Sequence, residues 1–269
     1  MADTANAADQ PVLVERTGAV ATITLNRPAS MNSMSVVLKE RLLAALTDVA
    51  TDATIRAVVL TGAGSAFCVG QDLKEHVALI ESGDPAPLAT VEKHFNPIVL
   101  AVVQMAKPVV AAVNGMAAGA GASLAFACDF RVADARARFL LAFAGVGLAL
   151  DTGASWTLPR LIGSGRALAM SILAEPVDAA AALEMGMVSA VVPEGRAREE
   201  AQALAARLAE GPTLAYAAIK QQIASAAGST LTEALELEAK LQAECGQSED
   251  HPAAARAFVA KEPPRFVGH

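Results

Sequence analysis

KPVVAAVNGMAAGAGASLAFACD, residues 107–129, combines the longest apolar run of the chain with its densest glycines. Val109 to Val113 has the length and β-branched content of a fully buried strand, and Pro108 is tolerable because it stands at the strand's first residue. Asn114-Gly115 ends that strand. Gly119 to Ala122 then offers no bulky side chain, and Ser123 to Ala127 reads as a short buried helix. A glycine-rich turn feeding a helix N-terminus leaves backbone N–H groups aimed at one spot, where a developing negative charge can be held. That is the chemistry of an oxyanion hole.

Other readings compete for the stretch. Its length approaches a membrane span, and Gly115-x-x-x-Gly119 matches a small-residue helix-packing pattern. Against a span stand its Ala/Gly composition, Asn114 and the preceding proline. No nucleotide-binding glycine motif is completed here or at Gly62-Ala63-Gly64. Small residues that merely let a helix approach a strand are the third alternative.

Outward from this centre, 269 residues give ample length to bury a core. Apolar residues make up 54% and aromatics only 4%, so alanine-lined helix and backbone contacts outweigh large aromatic pockets. A net charge of −7 and a pI near 5.2 argue against nucleic acid or an anionic membrane as the main partner. Cys68, Cys128 and Cys245 are few, odd in number and set in apolar surroundings, as expected of reduced thiols in a cytoplasmic protein. No Cys or His spacing suggests a metal. The opening MADTANAADQ lacks a basic region followed by an apolar one, and residues 1–10 are expected to be a disordered polar start.

Along the chain, Val12 to Arg16 and Val20 to Leu25 alternate about Thr17-Gly18 as a hairpin. Leu38, Leu42, Ala45 and Val49 recur at helical spacing, and Ile55 to Leu60 is a buried strand. Gly70 stands where a helix could start at Gln71, giving a second cluster of exposed backbone donors with Asp72 at the positive end. Val91 to Met105 reads as a helix. Phe130 to Ala133 is a strand, and Phe139 to Val146 is apolar without a period. From Ser155 the pattern is helical, with Pro159 forcing a break or kink. Residues 11–195 are expected to form the core. Residues 196–269 read as a helical region whose apolar stripes exceed what that core can cover, which points to an oligomer.

Two motifs resemble the enoyl-CoA hydratase/isomerase (crotonase) family: TGAGSAFCVGQDLKE, residues 61–75, and KPVVAAVNGMAAGAGASLAFACDFRVA, residues 107–133. The resemblance runs from about Val12 to His269. It implies an α/β spiral of ββα units, a C-terminal helical trimerisation region, and trimers that often pair into hexamers. It further implies an acyl-CoA thioester substrate, no separate cofactor, and a thioester oxygen held by the N–H groups of Gln71 and Ala120. The coenzyme is expected along Val69, Gln71 and Leu73 and along Ala29 and Met31, with Arg27 the nearest cation. A neighbouring subunit's Phe258 and Lys261 positions would cover the nucleotide.

The acid/base residues are where family members differ. Hydratases resemble one another in two glutamates, and the matching positions here are Ser123 and Phe143. Neither can activate water. Asp151, in GLALDTGASWTLPRLIG, instead resembles the aspartate that moves protons in several isomerases of the family. With the C-terminal AFVAKEPPRFVGH, the surrounding segment is similar to the ring-1,2-epoxyphenylacetyl-CoA isomerases of phenylacetate breakdown. Apolar neighbours at Leu148 to Leu150 would desolvate the carboxyl and raise its pKa. Asp151 is equally a candidate N-cap for a helix starting at Thr152. Ser123 lies in GASLA, close to a nucleophile elbow, although His76, His94, His251 and His269 all fall in polar or terminal segments. Its other expected role is a small residue facing the acyl pocket. The expected function is thus an acyl-CoA isomerase, with enoyl-CoA hydratase, acyl-CoA thioesterase and non-catalytic acyl-CoA binding as the alternatives.

Overall fold

A computed structural model describes residues 10–269, so the polar start, Gln10 apart, lies outside the described residues. β1 (Val12–Thr17) and β2 (Val20–Leu25) form the expected antiparallel hairpin. From β2 the sheet continues in parallel through β3 (Ala57–Gly62), β5 (Val109–Val113), β7 (Phe130–Asp134) and β10 (Ala190–Val192). The register pairs Val58 with Val109 and Val59 with Val110.

Both faces of this sheet are covered, which is why β5 reads as an unbroken apolar run. Val58, Leu60, Val109, Ala111 and Val113 point into the main core. Val59, Val110 and Ala112 point the other way, against Ala201, Ala205 and Ala209 of α8 (Ala197–Ala209). That helix follows residue 195 and packs directly on the sheet.

A second, four-stranded sheet has the order β4 (Ala66–Cys68), β6 (Met116–Ala118), β8 (Arg138–Leu140), β9 (Val177–Asp178). Its strands of two or three residues carry no sequence periodicity, and pairing with distant partners creates them. Against β4 and β6 packs α4 (Ala120–Ala127), every residue of which is buried. Small side chains make this possible. A Cβ on Gly121 would stand 2.1 Å from the Cys68 carbonyl oxygen, so only glycine lets α4 press against β4.

α1 (Val36–Thr51) starts at an N-cap, Ser35, whose hydroxyl accepts from Leu38 N–H at 3.2 Å. The expected Val91–Met105 helix is a π-turn at Val91–Phe95 followed by α3 (Asn96–Val103). Pro159 does not break α5 (Ala154–Ile162). Burial of Thr157, Leu158 and Ile162 carries the helix past the missing N–H, and Gly163 ends it before α6 (Ser164–Leu173). The chain continues through α7 (Ala179–Glu184), β10 and α8 to α9 (Thr213–Ala226), α10 (Leu231–Gly246) and α11 (Asp250–Ala260). Lys220 of α9 ties this helix to the sheet by an ion pair with Asp129 at 2.7 Å. No helix among the described residues is long and apolar enough to cross a membrane.

Candidate active site

Each of two adjacent parallel strands, β4 and β6, runs into a turn that exposes backbone N–H groups. After β4 the chain turns at Gly70 (φ +87°) and enters α2 (Leu73–Glu81). Asp72 is the N-cap, accepting from Lys74 N–H at 3.1 Å, so α2 begins two residues later than expected. Around Gln71 the neighbouring groups are taken: Met34 N–H donates to the Gly70 carbonyl at 2.7 Å, and Asp72 N–H to the Met34 carbonyl at 3.3 Å. Gln71 N–H has no acceptor among the described residues.

After β6 the turn is Gly119 (φ +51°), and Ala120 is the first residue of α4. Its N–H therefore has no acceptor within the helix. The two turns touch, because a Cβ on Gly70 would lie 3.1 Å from the Ala120 nitrogen and 2.9 Å from the Ala118 oxygen.

Gln71 and Ala120 open onto one cavity of about 110 Å³, whose wall also includes Val69, Leu73, Phe95, Phe143, Leu148 and Asp151. Larger hollows of about 800 and 400 Å³ lie against α5 and α9. Lys220 lines both and is paired with Asp129 of the smaller, where Arg131 is bonded to main-chain carbonyls.

Asp151 is half-buried on the cavity wall. Burial pushes its carboxyl above the usual carboxylate range; the Thr152 hydroxyl, donating at 2.7 Å, and the charge of Lys39 oppose that shift. Asp151 is not a helix cap. Thr152 and Gly153 both adopt positive φ, and α5 begins only at Ala154 with Gly153 as its N-cap. That left-handed pair detaches the carboxylate from the helix and leaves it facing the cavity.

Ser123 does not face the cavity. It is completely buried in the first turn of α4, and its hydroxyl donates to the Gly119 carbonyl at 3.1 Å, one helical turn back. Arg27 also differs from expectation. Its Nη1 donates to Asp72 at 2.8 Å, to the Ser33 carbonyl at 2.6 Å and to the Ser33 hydroxyl at 3.2 Å, fixing the start of α2. Ala29 and Met31 are exposed on a short 3₁₀ turn, tied to the Gln71 loop where Val69 N–H donates to the Met31 carbonyl at 3.2 Å. Phe258 is 84% exposed near the end of α11, and Lys261 caps that helix in the left-handed region. Neither lines the cavity in the single chain.

Several polar groups that the sequence did not place at the site stand on or behind the cavity wall. Lys39 has no exposed surface, and its Nζ donates to Gln71 Oε1 at 2.9 Å and to the Thr90 hydroxyl. Its register with Leu42 and Leu46 of α1, three and seven residues on, was the available signal. His76 lines the cavity from α2, and its Nδ1 is buried without a hydrogen-bond partner among the described residues. Behind the Gln71 turn, Cys68 Sγ donates to the Asn32 carbonyl at 3.1 Å; burial pushes this thiol up to about 12, so it stays protonated.

A cavity that gathers two unpaired N–H donors and one desolvated carboxylate is suited to polarising a carbonyl and moving a proton beside it. The chain belongs to the enoyl-CoA hydratase/isomerase family, whose model matches residues 15–269. It is 42% identical over 251 residues to the 1,2-epoxyphenylacetyl-CoA isomerase of Escherichia coli strain K12, covering 93% of this chain and 95% of that one. It is also 42% identical over 250 residues to a "probable enoyl-CoA hydratase" of Rhodobacter capsulatus, again covering 93% and 95%. The crystal structure of a Mycobacterium abscessus protein of the hydratase/isomerase type superimposes with a TM-score of 0.92 at 43% identity, covering 96% of this chain and all of that one. The fold is thus the crotonase fold.

Proposed function

We propose that this protein is an acyl-CoA isomerase. It would hold an enolate in the N–H groups of Gln71 and Ala120 while Asp151 removes a proton from one carbon and returns it to another. The observation that carries this reading is the composition of the cavity wall: Asp151 is its one carboxylate among the described lining residues. Ser123 and Phe143 stand where the family's hydratases resemble one another in glutamates. One base suffices for a 1,3-proton shift, whereas adding water calls for groups that position and activate it. Two converging N–H donors favour the charge that develops on the thioester oxygen, and each such donor is worth about 3 kcal/mol in acyl-transfer enzymes.

The substrate in this reading is a 3-enoyl-CoA, whose double bond moves into conjugation, or a ring-epoxide phenylacetyl-CoA. The Escherichia coli relative's name favours the latter. No metal, flavin or nicotinamide enters the scheme, which belongs in the cytoplasm, with the helices after α8 serving trimer or hexamer assembly. Hydration is the second reading, favoured by the Rhodobacter capsulatus relative's name.

The test supplies wild type and Asp151→Asn with a 3-enoyl-CoA and, separately, a 2-enoyl-CoA, following the absorbance of the conjugated thioester. A rise from the 3-enoyl substrate in wild type and none in the variant supports isomerisation through Asp151. A fall from the 2-enoyl substrate, equal in both proteins, would establish hydration by other groups.

A further inference from the structure

Behind the cavity wall lies a charge that the proton shift as proposed does not use. Lys39 is completely buried, yet its Nζ meets only two side-chain oxygens, Gln71 Oε1 at 2.9 Å and the Thr90 hydroxyl, and otherwise stands 4.9 Å from the centre of the Phe95 ring. Gln71, Thr90 and Phe95 all face the cavity on their other side. Among the described residues no carboxylate is within salt-bridge distance of this ammonium. An unpaired buried cation is costly, and its position next to a cavity that is to hold negative charge gives that cost a purpose.

We infer that Lys39 is a positioning residue for the proton-transfer site. It clamps the Gln71 and Thr90 side chains on the cavity wall and acts as the counter-charge to Asp151. The inference rests on the isomerase reading for its consequence in turnover, although the charge coupling itself can be measured without turnover.

Three carboxylates act on Lys39 through space: Glu75 and Asp72 from the Gln71 side, and Asp151. Two are already engaged. Glu75 accepts from Val36 N–H at 2.9 Å, and Asp72 is paired with Arg27 at 2.8 Å. Among the described residues Asp151 accepts from the Thr152 hydroxyl alone, and the Lys39 charge opposes the effect of its burial. The remaining titratable neighbour is His94, whose Nδ1 lies 3.0 Å from the Thr90 hydroxyl. Burial, followed by the charge of Lys39, depresses the imidazole, while Glu40 and Lys93 act on it with opposite signs. It is therefore neutral at neutral pH and adds no competing charge. His76 also faces this region, from the cavity wall.

Lysine also suits the clamp. Its three donors can serve Gln71 and Thr90 together, and an apolar side chain of equal length would leave the Gln71 oxygen without its donor.

The experiment titrates the Asp151 carboxyl by ¹³C NMR in the full chain labelled at aspartate Cγ, with Asp151→Asn assigning the signal. Wild type is compared with Lys39→Met and Thr90→Val, and kcat and KM for a 3-enoyl-CoA are followed against pH in parallel. In Lys39→Met the Asp151 midpoint should rise by about 1 pH unit, the effect typical of losing one nearby opposite charge. The acidic limb of the kcat profile should rise with it, while KM stays put. Thr90→Val should lower kcat without moving the midpoint.

Should Lys39→Met fail to fold, the coupling can be read from the other side, because it is reciprocal. The ¹⁵Nζ midpoint of Lys39 should then fall by a similar amount in Asp151→Asn. An unmoved midpoint in both measurements overturns the inference even if Asp151→Asn is inactive. A shifted midpoint alongside full turnover in Asp151→Asn upholds the coupling and instead removes Asp151 from the chemistry.

Discussion

Gly70 and Ala120 belong to turns 50 residues apart in the chain, yet a Cβ on the first would come within 3.1 Å of the nitrogen of the second. Gly70→Ala therefore brings two penalties, a methyl group at φ +87° and a collision with the Ala118 oxygen at 2.9 Å. Either the Gln71 turn or the start of α4 must give way, and the two donors separate. Turnover of a 3-enoyl-CoA should fall by about 100-fold or more, the scale of losing one oxyanion donor. Wild-type turnover in a folded Gly70→Ala protein would refute the pairing of these turns as the oxyanion site.

Ser123→Ala should leave turnover unchanged, because the hydroxyl is spent on the Gly119 carbonyl inside α4 and never reaches the cavity. Release of free coenzyme A from an acyl-CoA, abolished by this substitution, would instead establish a serine nucleophile.

The raised carboxyl of Asp151 makes a stability prediction with a definite sign. Its folded-state pKa lies above the unfolded value, so the folded protein is penalised wherever the unfolded chain would be ionised. The penalty is full above the folded pKa and vanishes below the unfolded one. Asp151→Asn should accordingly melt at a higher temperature than wild type at pH 7, and the gap should close below about pH 4. An equal or lower Tm at neutral pH would show that the carboxylate is not held at a cost.

Asp72 carries the opposite sign. Burial works to raise its pKa, but bonds from Arg27, Ser33 and the Glu75 N–H, with the charge of Arg27, hold it below the ordinary carboxylate range. Its stabilisation is thus present above the unfolded pKa and lost as pH falls through the folded one. Asp72→Ala should cost about 1 to 2 kcal/mol at pH 7 through the lost N-cap. Denaturant melts at pH 7 and at acid pH should show that difference shrinking as the medium is acidified.

The parts of the fold that announce themselves in the sequence are those made by local pattern. The alternation about Thr17-Gly18 specifies the β1–β2 hairpin, and Val109 to Val113 reads as a strand because burial on both faces removes polar residues from it. The strands β4, β6 and β9 are too short to show a period and exist through partners far away in the chain. The same limit applies at the site. The two loop-to-helix junctions were legible because glycines mark them, and the family resemblance carried the donor roles to Gln71 and Ala120. Whether the serine of GASLA points into a pocket depends on the rotation of α4, and the absence of bulk on every side of that helix hides it. Lys39 was overlooked because a lysine is ordinarily assigned to the solvated face, although its spacing to Leu42 and Leu46 places it on the buried one.

The two N–H donors hang from the ends of neighbouring strands, so the gap between them is ruled by the spacing of a β-sheet and not by any side chain. Leu88, Val91, Val146 and Leu148, which form much of the remaining wall, sit on other segments. Such a division would let the remaining wall change during evolution while the gap between the two N–H groups keeps its setting.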